Sequence, residues 1–268
     1  MSDQKVVLIT GASSGVGQST ARLLSQRGYK VFGTSRSPAT AEAMPAVEML
    51  TLDVRSDESV AACLKAANQA GRIDVLVNNA AYELAGALEE TSLEEAREQF
   101  ETNFFGVIRM MKAVLPLMRQ RKQGQIINIS SLSGRSAIPF MGIYSASKSA
   151  LEGYSEALRA EVKPFNVHVS VTEAGFLKTP MMNKRQNSTS QLAEYDMWRQ
   201  RAFNAIRDQE QKAPGPELVS QAILRIIEST RPRFRYLIGS QAKINTRLQQ
   251  FLPETMFERG KRSVFKLD

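Results

Sequence analysis

Short runs of β-branched and apolar residues alternate with longer amphipathic stretches along this chain, and that alternation leaves few folds open. Residues 5–10, 30–34, 47–52, 73–78, 125–130, 167–172 and 235–238 have the length and composition of strands. Residues 15–27, 57–70, 93–121 and 144–163 carry helical patterning between them. Strand–helix–strand units pair their strands in parallel and require helices on both faces of the sheet. The expectation is therefore α/β: a doubly wound parallel sheet of about seven strands. Local signals agree. Gly28 is placed to end the first helix, Ser56 to cap the second, and Ser92 with Glu95 forms a capping box for the third. Pro116 is expected to kink or divide that long third helix, and Pro164 to stop the next.

No repeat or linker interrupts the 268 residues, so 1–268 reads as one domain. Two parts depart from the rhythm. Residues 181–214 are polar and Met-rich, a candidate substrate loop or lid, and residues 240–268 form a basic C-terminal extension. With no signal-peptide pattern and no run near the ~20 apolar residues of a membrane span, the chain is expected to be cytoplasmic and not integral to a membrane. The lone Cys63 suits a reducing compartment and reads as a packed small hydrophobe. The net charge of +8 is spread along the chain rather than gathered beside stacking aromatics, which argues against a nucleic-acid partner. His168, the only histidine, lies in an alternating strand and reads as structural; no metal site is expected.

The first strand runs into Thr10-Gly11-Ala12-Ser13-Ser14-Gly15-Val16-Gly17 and then a helix. Free backbone N–H groups at a helix start attract a pyrophosphate, and glycines let the backbone approach it. The second strand ends Thr34-Ser35-Arg36, with no carboxylate to repel a 2′-phosphate and a guanidinium to bind one. Tyr144 and Lys148 are four apart, on one face of a helix. A tyrosine, with a free pKa of about 10, needs such a nearby cation to shuttle protons.

These motifs, in this order over nearly all of residues 5–239, resemble the short-chain dehydrogenase/reductase family, with its TGxxxGxG turn and Ser…YxxxK site. Residues 151–153 and 164–170 are similar to the 17β-hydroxysteroid and retinol dehydrogenase-like branch. The resemblance implies a Rossmann fold and hydride transfer between nicotinamide and a carbonyl or secondary alcohol. It implies that Tyr144 is the acid/base, that Lys148 lowers its pKa and holds the ribose, and that Ser131 bonds the substrate oxygen. Asn103 would hold a water linking Lys148 to solvent. Gly11, Ser13, Ser14, Gly15, Val16 and Gly17 would hold the pyrophosphate. Asp53 and Val54 would meet the adenine, and Asn79, Ala80 and Ala81 would close over it, with Ala81 replacing the family's glycine. Gly175 and Thr179 would lie under the nicotinamide, with Ala174 in place of the usual proline.

The implied substrate is an apolar small molecule, and Met181 and Met182 are candidate contacts. A 3-oxoacyl or sugar-type reductase and a non-catalytic NADP-binding sensor are the alternatives. A homodimer or homotetramer through the two long helices is what the family implies. NADP(H) is favoured over NAD(H). Arg36→Asp should accordingly lower affinity for NADPH far more than for NADH, as read by cofactor titration; equal losses would refute that assignment.

Overall fold

The computed structural model describes residues 4–268; residues 1–3, included in the expected domain, lie outside the described residues. Seven parallel strands form one sheet: β1 (Val6–Ile9), β2 (Lys30–Ser35), β3 (Val47–Thr51), β4 (Val75–Asn78), β6 (Gly124–Ile129), β7 (Val167–Ala174) and β9 (Arg235–Ile238). Their order is β3-β2-β1-β4-β6-β7-β9, and a second, two-stranded pair joins β5 (Leu84–Ala85) to β8 (Gln186–Asn187). The doubly wound α/β expectation holds. Neither short strand of the second pair was legible, since two residues carry no periodicity.

The alternation of side chains along each strand divides the core in two. Val6 and Leu8 of β1 pack on the face covered by α2 (Asp57–Ala67), α4 (Gly106–Arg121) and α5 (Gly142–Val162). Val7 and Ile9 pack on the opposite face, covered by α1 (Gly15–Gln26) and α7 (Glu217–Glu228). Cys63 is buried in the first cluster with Met110 and Met111, as packing residues. His168 is half-buried on β7, paired with Gln125 of β6.

The expected single helix over 93–121 is divided, but not at Pro116. Helix α3 (Leu93–Phe100) starts with the capping box of Ser92 and Glu95, and a π-helical turn at Glu101–Phe105 joins it to α4. Helix α4 runs through Pro116 without a break, because buried Met110, Met111 and Val114 before it and Met118 after it anchor both sides. The widened turn instead falls at Asn103, whose side chain is fully buried and bonded to backbone outside the helix.

One more reading is corrected, and a second gains detail. Residues 181–214 are not mainly loop: α6 (Asp196–Lys212) occupies half of them, burying Ala202, Ala205 and Ile206 in a short apolar stripe set among many Arg, Gln and Glu residues. The C-terminal extension forms α8 (Ser240–Phe251) and α9 (Glu254–Val264). Among the described residues, no helix is long and apolar enough to cross a membrane.

Gly17 sits where α1 leaves the sheet. An added Cβ would stand 2.4 Å from the Gly11 carbonyl oxygen and 2.5 Å from Asn79 Nδ2. Gly17→Ala should therefore cost about 1–3 kcal/mol in urea denaturation, since backbone must move. Gly153→Ala in α5 meets nothing within 4 Å and should instead stabilise, by up to ~1 kcal/mol.

Candidate active site

Between β1 and β4 the order of the sheet reverses, and the helices that follow these two strands cover opposite faces, which opens a crevice at their carboxyl ends. The turn after β1 takes positive φ at Gly11 (+68°) and Gly15 (+58°), the left-handed region where a side chain is strained. A Cβ on Gly11 would also lie 2.9 Å from Ala80 Cα, so the turn is pressed against the end of β4. Asn79 secures the contact: its Nδ2 donates to the carbonyls of Thr10 and Gly11, both at 3.0 Å. Thr10 Oγ1 accepts from the backbone N–H of Asn79 (2.9 Å) and Ala80 (3.0 Å). Helix α1 starts at Gly15 with no side-chain cap and no acid in its first turn. Its N–H groups are thus left for an anion.

One cavity of about 760 Å³ runs from this turn across the sheet. Ser13, Ser14, Val16, Arg36, Asp53, Val54, Ala81, Gly175, Thr179, Met181 and Met182 line it, together with Gly11, Gly15, Asn79, Ala80, Ser131, Tyr144 and Lys148. Of the expected site residues, Gly17 and Asn103 are not among the lining residues. Gly17 lies beneath the turn, and Asn103 is used elsewhere: its Oδ1 accepts from Tyr82 N (3.1 Å), while its Nδ2 donates to Tyr82 O (3.0 Å) and Ser147 Oγ (3.4 Å). At the far end from Tyr144 stands a guanidinium that the sequence did not single out. Arg55 binds both oxygens of Asp53, with its Nη2 2.6 Å from Oδ2, and holds that carboxyl below its usual range. Arg36 adds to the same effect.

Ser131 follows β6 and Tyr144 lies in the first turn of α5, so two elements bring the hydroxyls to one place. Lys148, one turn further on α5, donates from Nζ to the Ile129 carbonyl at 2.8 Å and stands 5.8 Å from the centre of the Tyr144 ring. Both side chains are buried. Burial and then the Glu83 carboxylate raise the Tyr144 pKa, while a hydrogen bond from Ser131 opposes them. Burial lowers Lys148 to about 8, against the pull of Glu83 and Glu152. Glu152, one turn beyond Lys148, accepts from Ser130 Oγ at 2.7 Å beneath the strand end.

Glu83, Arg185 and Glu210 were not anticipated. Glu83 follows Asn-Asn-Ala-Ala-Tyr in the crevice wall, where a charge amid an apolar run was the available signal. The other two fall in the segment that showed no pattern. Helices α8 and α9 and the residues joining them add Leu248, Leu252, Met256 and Phe257 to the cavity wall.

The low pKa of Lys148 has a consequence for stability. Its folded value, about 8, lies below the ordinary 10.5, so between these pH values the folded state binds fewer protons than the unfolded chain and stability rises with pH. Lys148→Met should thus stabilise the cofactor-free protein at neutral pH, on the order of 2 kcal/mol, as seen in denaturant titrations. That advantage should shrink between pH 8 and 10.5.

Residues 5–190 match the family model of the short chain dehydrogenases. Over 258 residues the chain is 42% identical to the 3-ketodihydrosphingosine reductase of Bacteroides thetaiotaomicron, covering 95% of each chain. It is 39% identical to human retinol dehydrogenase 8 over 252 residues, 86% of this chain and 80% of that one. Among solved structures, a short chain dehydrogenase from Burkholderia cenocepacia in complex with NADP superposes with a TM-score of 0.76 at 25% identity, covering 96% of this chain and 97% of that one. The glycine turn, the crevice at the sheet's reversal and the Ser131, Tyr144 and Lys148 cluster thus sit in a chain that belongs to the short-chain dehydrogenase family of oxidoreductases, on its retinol and 17β-hydroxysteroid dehydrogenase-like branch.

Proposed function

We propose that this chain is an NADP(H)-dependent oxidoreductase acting on the carbonyl or secondary alcohol of an apolar small molecule. One observation carries the reading: Ser131, Tyr144 and Lys148 converge on the same cavity as the glycine turn. The residues present fit a nicotinamide dinucleotide. Glycines leave a cradle that side chains would fill, and the uncapped start of α1 offers N–H groups to a pyrophosphate. The preference for NADP(H) is supported by Arg36 and Arg55 at the adenosine end and by the neutral Ser35 closing β2.

When bound, NADPH supplies the hydride to the carbonyl carbon. Tyr144 gives its hydroxyl proton to the carbonyl oxygen, which Ser131 holds by a hydrogen bond. The raised pKa of Tyr144 keeps that proton in place at neutral pH, the form that reduction requires. The Lys148 ammonium steadies the phenolate left behind, and Asn103, fixed to the Tyr82 backbone, holds the water that returns a proton from solvent. An apolar substrate is supported by Ile138, Met141, Phe176, Met181 and Met182, which line the cavity with Tyr144, and by Leu252, just past α8, and Met256 of α9. The protein acts in the cytoplasm as a homodimer or homotetramer through the faces of α4 and α5, in this reading.

NADPH oxidation against a panel of apolar ketones tests the proposal. Tyr144→Phe should lower kcat by about 10²–10⁴-fold while leaving NADPH binding, followed by fluorescence titration, close to wild type. Turnover that survives the substitution would remove Tyr144 from the chemistry.

A further inference from the structure

The last residues of β6 are joined to α5 by polar bonds. The Ile129 carbonyl accepts from Lys148 Nζ at 2.8 Å, and Ser130 Oγ donates to Glu152 Oε1 at 2.7 Å. Deeper in the sheet, Asn128 Nδ2 donates to Ser155 Oγ at 2.8 Å. Asn128 and Ser155 are fully buried, and Ser130 and Glu152 are each only 5% exposed. On the helix, Tyr144, Lys148 and Glu152 are spaced four apart and share one face. On the strand, Ser131 is the next residue after Ser130. The Ser130–Glu152 bond thus ties the strand end that carries Ser131 to the helix that carries Tyr144.

Glu152 is fixed from other directions too. Its Oε2 lies 3.9 Å from Nε of Arg235 on β9, and the same Nε lies 3.2 Å from Glu173 Oε1 on β7. The segment after Ser131 passes directly over the pair: a Cβ on Gly134 would stand 2.7 Å from Glu152 Oε1 and 3.2 Å from Ser130 Oγ. The Gly134 carbonyl accepts from Ser149 Oγ of α5 at 2.6 Å.

Burying a carboxylate is costly, and packing alone would be served better by two apolar side chains. What apolar contact lacks is direction. It leaves a strand and a helix free to shift by fractions of an ångström, whereas a hydrogen bond fixes both distance and angle. Spacing is what the reaction needs at this place. The carbonyl oxygen must meet the hydroxyls of Ser131 and Tyr144, one borne by the strand end and the other by the helix. A displacement of ~1 Å in such a site costs about 10²-fold in rate.

We propose that Ser130 and Glu152 are positioning residues, whose hydrogen bond sets the spacing between Ser131 and Tyr144. Glu152 acts through Ser130, and Ser130 through the backbone it shares with Ser131. Neither side chain exchanges a proton with the substrate, and no bond of the reaction involves them. The inference rests on reading the cavity as a carbonyl-reducing site and names the residues that keep that site in register.

The test uses the full chain as Ser130→Ala, Glu152→Ala, Glu152→Gln and the double alanine variant. Each is assayed for NADPH oxidation with an apolar ketone, for NADPH affinity by fluorescence titration and for thermal unfolding. Ser130→Ala and Glu152→Ala should each lower kcat about tenfold or more, with NADPH affinity within about threefold of wild type. The double variant should be no slower than the poorer single one, because both substitutions remove the same bond. Glu152→Gln, whose amide oxygen still accepts from Ser130, should restore kcat to within about threefold of wild type. A merely structural pair would lower the unfolding temperature and leave kcat per folded molecule unchanged, which would overturn the proposal. Losses that add in the double variant would do the same, as would Glu152→Gln proving as slow as Glu152→Ala. Should Glu152→Ala fail to fold, Ser130→Ala and Glu152→Gln decide between them. A wild type that turns over ketone beside an equally fast Ser130→Ala would sink this inference alone. A wild type that reduces no ketone would sink the oxidoreductase reading, and this inference with it.

Discussion

The close approach of the turn after β1 to the end of β4 is the constraint from which the rest of the site follows. Here the sheet reverses its order, so the helices after these strands leave on opposite faces and the crevice between them has nothing to fill it. Asn79 holds the two strand ends together through the Thr10 and Gly11 carbonyls. Gly11 and Gly17 allow distances that any Cβ would forbid. A turn held this way points its free N–H groups into the crevice before any ligand arrives, so little ordering is left for binding to impose.

The second feature of the site is that its reactive groups are held against their preference for water. Tyr144 and Lys148 are buried, and each is shifted towards its uncharged form. The sheet and α5 supply the stability that this burial consumes, through a core in which Leu8, Leu76, Met110, Met118, Ile126 and Leu151 are fully enclosed. The carboxylates around the pair act on it in different ways. Glu152 lies behind Lys148 and binds the Ser130 hydroxyl at the strand end. Glu83 faces the cavity, tethered by Arg185 through one oxygen. The electrostatic character of the crevice therefore comes as much from the substrate wall as from Tyr144 and Lys148.

Much of this was legible in the chain itself. Strand β9 was read at its observed bounds, and β1, β2, β3, β4, β6 and β7 within a few residues, because buried parallel strands are short unbroken apolar runs. The capping box at Ser92 was equally local. What could not be read is as instructive. The long helix is interrupted at Asn103, not at Pro116, because the interruption is set by bonds to Tyr82, twenty-one residues away in the chain. Helix α6 has only scattered apolar positions and so resembled a polar loop. Arg55 was passed over because its role depends on how the loop after β3 folds back on Asp53.

By itself, the sequence determined the fold class, the glycine turn and the helical spacing of Tyr144 and Lys148, since each depends on neighbours a few residues apart. Tertiary structure alone decided the company those residues keep. It brought Glu83 to Arg185, 102 residues distant, and Arg185 to Glu210 on α6, and set all three in the wall of the cavity that Tyr144 lines. The physical reason is that charge in a cavity acts through space and burial, which have no expression in the order of residues along a chain.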